Sequence, residues 1–106
     1  MAWHAAAKLG EVRAGDVIAV TVDGVEMVLG RDGDRYFAAQ RWCPHRRGDL
    51  ADGIVSRNHL ICPQHGYRFS AETGRHDEAS EYCLVMFDVR VTGEQIEIDP
   101  TPRSAT

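Results

Sequence analysis

Four side chains able to bind a transition metal fall into two short pairs, Cys43 and His45 in Cys43-Pro44-His45, and Cys62 and His65 in Cys62-Pro63-Gln64-His65. Sixteen residues separate His45 from Cys62. Each pair offers one thiolate and one imidazole. Zinc modules generally group Cys with Cys and His with His. One of each in both segments suits a two-iron, two-sulfide unit, with thiolates on one iron and imidazoles on the other, a ligand change that raises the potential. A mononuclear zinc or iron module without a redox role is the alternative this donor set leaves open.

The surrounding residues resemble the Rieske family. Cys-Pro-His-Arg-Arg-Gly (43–48) is similar to its first ligand loop, and Cys-Pro-Gln-His-Gly-Tyr (62–67) to its second. The likeness extends to Asp52-Gly53, Phe69, Thr73-Gly74 and the closing stretch Val85–Ile98. The resemblance implies one [2Fe–2S] cluster per chain, with Cys43 and Cys62 on the buried iron and His45 and His65 on the outer one. It implies an all-β fold, an antiparallel sandwich or barrel carrying a loop-built cluster-binding part at about 41–76. It further implies a one-electron carrier rather than an enzyme, similar to the ferredoxins of bacterial ring-hydroxylating oxygenases. Such a carrier would take electrons from a flavin-dependent reductase and pass them to a terminal oxygenase. The small subunit of a nitrite-reductase-like complex is the alternative within the family.

Departures from the family pattern sharpen these expectations. The respiratory members join their ligand loops by a disulfide, and neither loop here holds an extra Cys. Where those members place Ser and Tyr hydroxyls near the cluster, Tyr67 and Phe69 stand here, and Phe69 cannot donate a hydrogen bond. Fewer donors to sulfur lower the potential. The lower end of the Rieske span, roughly −150 to +300 mV, is therefore expected. Oxygenase-type members cover the cluster with a proline-containing loop. The matching 76–81 stretch here is acidic and proline-free.

Short strands and tight turns must position these loops. Val17–Val22 is apolar and largely β-branched, and Asp23-Gly24 turns it into Val25–Leu29, a two-residue hairpin signal. Asp32-Gly33-Asp34 leads into Tyr36–Ala39, His59–Ile61 leads into Cys62, and Tyr67–Ser70 alternates after it. Val85–Val91 and Gln95–Ile98 predict a final hairpin through Thr92-Gly93-Glu94. No segment keeps a helical apolar period. Both ligand pairs fall in loops at strand ends, where backbone N–H groups are not already used by a sheet. Gly48 and Gly66 are expected to relax the backbone there, and Pro44 and Pro63 to stiffen it. One domain at 1–99 with a loose tail at 100–106 is the expected organisation.

Composition agrees with a small globular domain. The 106 residues are 43% hydrophobic, and three Cys do not make a disulfide framework. No apolar run approaches the roughly 20 residues of a membrane span, so a cytoplasmic protein is expected. Residues 41–76 hold six arginines against three acids, a balance of +3, which leaves −7 for the rest of a chain whose net charge is −4. Arg46 and Arg47 beside a ligand would either steer an acidic partner or pair with Asp49, Asp52 or the acids at 77–81. Net acidity without a basic–aromatic stripe excludes nucleic acid. Cys83 reads as a buried structural thiol. His4, His59 and His76 read as surface or turn residues, and Trp3 and Trp42 as packing residues, with Trp42 shielding the cluster.

Overall fold

A computed structural model describes residues 3–44, 48–63, 66–76 and 82–103. The strands are β1 (His4–Lys8), β2 (Val17–Val22), β3 (Val25–Asp32), β4 (Arg35–Gln40), β5 (Ile54–Ser56), β6 (His59–Ile61), β7 (Arg68–Ser70), β8 (Met86–Thr92) and β9 (Gln95–Pro102). The only helical pieces among the described residues are single 3₁₀ turns at Leu9–Glu11 and Leu50–Asp52. Six strands form one sheet in the order β1-β9-β8-β4-β3-β2, and β5-β6-β7 form a second. All pairings are antiparallel. Contacts between β1 and β2 bring the edges of the large sheet together into a nearly closed barrel. The expected all-β architecture is what the chain adopts.

The turns follow from local chemistry. Asp23 and Gly24 both take positive φ, at 50° and 79°, as a two-residue hairpin turn matched to strand twist demands. Arg57 and Asn58 do the same between β5 and β6, at 51° and 61°. Arginine is not a turn signal, so that hairpin was not legible in the sequence.

Two apolar cores result from the alternation of side chains along the strands. Val12, Val22, Met27, Leu29, Ala38, Phe87, Ile96 and Ile98 fill the barrel. The other face of the large sheet, with Val28, Phe37, Ala39 and Met86, packs on the inward row Val55, Leu60 and Phe69 of the small sheet. Strand β4 is buried on both faces, and its adjacent alanines let both layers approach closely.

The sheet continues past the expected boundary at 99. Strand β9 runs through Pro102, which pairs with Phe87 after a bulge. Arg103 then donates from its backbone to the Met86 carbonyl at 2.8 Å and from its guanidinium to Asp88, Phe87 and Glu72. Residues 100–103 thus belong to the fold, because the bulge lets the two prolines sit where the ladder needs no N–H from them.

Candidate metal centre

The small sheet lies within an excursion from the barrel, since β4 and β8 are neighbours in the large sheet while β5–β7 lie between them in sequence. Two loops of this excursion carry the predicted thiol ligands. The first leaves β4 and is closed by three successive rungs. Leu50 N–H donates to the Arg41 carbonyl at 2.8 Å, Trp42 pairs with Asp49, and Cys43 N–H donates to the Gly48 carbonyl at 2.9 Å. The second joins β6 to β7, where Cys62 N–H donates to the Tyr67 carbonyl at 2.8 Å. Both loops therefore close in the same way, from the Cys amide to the carbonyl five residues on. Gly66 takes φ +65° within the second loop. Gly48 is buried, with its carbonyl accepting from Cys43 N–H.

Cys43 and Cys62 are each 1% exposed, are not in a disulfide, and lie in one apolar cluster with Leu50, Leu60, Phe69 and Leu84. His45, His65, Arg46, Arg47 and most of the proline-free stretch (77–81) lie outside the described residues. The neck of that stretch is described. His76 N–H donates to the Tyr82 carbonyl at 3.1 Å, and Arg75 pairs with Cys83. The His76 ring packs edge-on against Tyr67 and Phe69, at centroid distances of 4.5 and 5.4 Å.

Arg41 and Asp49 brace the first loop across its base, and sequence reading missed them. The guanidinium meets the carboxylate through Nε–Oδ1 at 3.1 Å and Nη2–Oδ2 at 2.9 Å, a two-point geometry stronger than a single contact. Its Nη1 reaches Glu26 at 3.1 Å, and Asp49 Oδ1 also accepts from Ala51 N–H, capping the 3₁₀ turn. The hydrogen bond from Arg41 and then that from Ala51 hold the Asp49 carboxyl below the usual aspartate value, against the opposing effect of burial. The lowered value means that Asp49 stabilises the fold fully above the ordinary aspartate pKa. That contribution disappears as pH falls through the folded value. Asp49→Asn should therefore be less stable than wild type near neutrality, and the gap should close below about pH 4. Urea midpoints of both proteins across this range check it, since all other titrating groups are shared.

Several peripheral expectations change. Trp42 is 42% exposed, with the Arg41 guanidinium over its ring at 4.9 Å. Cys83 is half-buried rather than fully buried, with its Sγ 3.7 Å from the carbonyls of Thr73 and Leu84. His59 Nδ1 lies 2.8 Å from the Arg57 carbonyl, while His4 sits on β1. Among the described residues no three His, Cys, Asp or Glu side chains converge into a metal site. No helix among them is long and apolar enough to cross a membrane.

Comparison with known proteins bears on this site. The family model described as the Rieske [2Fe-2S] domain matches residues 2–84. The ferredoxin component of a naphthalene 1,2-dioxygenase system from Pseudomonas aeruginosa is 32% identical over 98 residues, covering 92% of this chain and 94% of its own. The ferredoxin component of an alkene monooxygenase system from Xanthobacter autotrophicus is 31% identical over 78 residues, covering 73% and 64%. Among solved structures, the ferredoxin of carbazole 1,9a-dioxygenase from Nocardioides aromaticivorans superposes with a TM-score of 0.86 at 29% identity. That match covers 95% of this chain and all of the other.

Proposed function

This chain belongs to the Rieske [2Fe–2S] domain family, and we propose that it is the ferredoxin of an oxygenase system, moving one electron at a time from a flavin-dependent reductase to a terminal oxygenase. The residues fit the family's cluster. Two buried thiols outside any disulfide stand at the feet of two loops closed alike, in one apolar layer. Cys43 and Cys62 would hold one iron and His45 and His65 the other, the donor set this cluster type requires. When bound, the cluster accepts and releases a single electron. The protein's part is to keep water from the thiolates and to hold the two loops in register, so that little rearranges as the charge changes. Leu50, Leu60, Phe69 and Leu84 do the first, and the rungs beside Cys43 and Cys62 do the second.

The observation that carries this reading is the pair of congruent loops with buried cysteines. Its relatives and structural neighbours include ferredoxins of naphthalene, alkene and carbazole oxygenase systems. The substrate is then a property of the oxygenase, and this chain supplies the electron.

The potential should sit low in the Rieske range. Phe69 is fully buried in the layer that holds both thiols; it stands where the resemblance to the respiratory members implies a hydroxyl, and fewer donors to sulfur lower the potential. A redox titration is expected to give a midpoint in the lower half of the roughly −150 to +300 mV span. A midpoint above about +100 mV would contradict it. Reconstitution with a flavin-dependent reductase and a terminal oxygenase, with oxygenase turnover depending on this chain, tests the partners.

A further inference from the structure

We propose that Gln40 is the positioning residue of the first ligand loop, its carboxamide locking the neck through which the cluster-binding excursion leaves and re-enters the barrel. The inference rests on Cys43 being a cluster ligand. Gln40 ends β4 and Val85 immediately precedes β8, so the chain leaves the barrel for residues 41–84 and re-enters it at this crossing. Gln40 N–H donates to the Val85 carbonyl at 2.8 Å. Its side chain adds two short bonds, Nε2 donating to the Trp42 carbonyl at 2.6 Å and Oε1 accepting from Val85 N–H at 2.7 Å.

These contacts reach the ligand loop directly. The Trp42 carbonyl belongs to the same peptide unit as Cys43 N–H, which donates to Gly48. That peptide is therefore held at both ends, next to the Cα of Cys43, and its plane is fixed. On the other side of the neck, Val85 has both backbone groups bound by Gln40. This fixes its neighbour Leu84, buried in the same apolar layer as Cys43 and Cys62 and bonded through its N–H to the Gly74 carbonyl at 2.8 Å. One side chain thus sets the loop that carries a ligand and one wall of the layer around it. A carboxamide suits the task because it donates and accepts at once. Trp42 and Val85 are both 42% exposed, so water competes for these bonds, and their net effect on global stability is modest. The consequence lies in position.

Two variants separate the arms of the clamp in the purified, cluster-containing protein. Gln40→Met keeps the length and loses both side-chain bonds. Gln40→Glu keeps the acceptor for Val85 and loses the donor to Trp42. Both are expected to lose visible cluster absorption to a chelator about 5-fold faster than wild type, with an altered paramagnetic resonance line shape in the reduced state. The Val85 amide is expected to exchange faster in Gln40→Met and to stay protected in Gln40→Glu. Wild-type rates of cluster loss in either folded variant, with unchanged line shapes, overturn the proposal. A wild-type chain that binds no cluster overturns the ligand reading instead. Val85 exchange then still reports whether the clamp exists.

Discussion

Replacing Cys43 or Cys62 with serine is expected to reduce cluster content at least ~10-fold, since even the outer partners of metal ligands are worth 10- to 100-fold in affinity. Serine is close in size but its hydroxyl is not a thiolate at neutral pH, and the buried iron of this cluster type takes two thiolates. Both side chains are 1% exposed, so no solvent ligand can easily replace the missing sulfur. Cys83→Ser is the internal control. Its thiol is half-buried and faces the carbonyls of Thr73 and Leu84, so its loss should leave the visible and paramagnetic resonance signals intact. Iron and sulfide analysis of the three purified variants decides the matter. Full cluster content in Cys43→Ser would remove the ligand assignment, and loss of signal in Cys83→Ser would add a thiol to it.

The sequence made the cysteines legible for a physical reason. Side chains able to bind a transition metal are few, chemically unusual, and tied to short spacings, so Cys43 and Cys62 stand out as candidate ligands without any knowledge of the fold. Asp23-Gly24 was equally legible, since a two-residue hairpin turn needs positive φ at both positions and these residues tolerate it. What stayed hidden depends on contacts between residues far apart in sequence. Nothing about Gln40 distinguishes it until β8 lies beside β4 and brings Val85 within 2.7 Å of its side chain. Arg41 and Asp49 look like ordinary surface charges until the first loop folds back and sets them face to face. The end of the fold was misplaced for a related cause. Residues 100–106 read as a loose tail, yet a bulge at Phe87/Asp88 shifts the register and lets β9 continue to Pro102. Arg103, just past β9, can then bond to the Glu72 carbonyl in the excursion.

Gly53→Ala is expected to destabilise the protein by ~3 kcal/mol, in the upper range for overpacking a tight site. The reason is steric and not conformational. Gly53 has φ −83° and ψ −167°, a backbone any residue can adopt. A β-carbon there, however, would press into the carbonyl oxygen of Ile61 and come within 3.2 Å of that of Leu50. Both obstacles are backbone atoms, so no rotamer change relieves them. Ile61 pairs with Ile54 and directly precedes Cys62, so relief requires β6 to move and to carry the second ligand loop with it. Loss of cluster should accompany loss of stability. Gly24→Ala and Gly10→Ala calibrate the effect. Neither added methyl meets an atom within 4 Å, and only Gly24 has positive φ, at +79°. Gly24→Ala should then cost about 1 kcal/mol through strain, and Gly10→Ala less than about 0.5. For a domain of this size ~3 kcal/mol corresponds to a fall in Tm of about 15 °C. Thermal unfolding of the three purified variants should rank Gly53→Ala far below the others. If Gly53→Ala unfolds no earlier than Gly24→Ala and keeps its cluster, then the close approach of β6 to the Asp52-Gly53 corner does not position the second ligand loop.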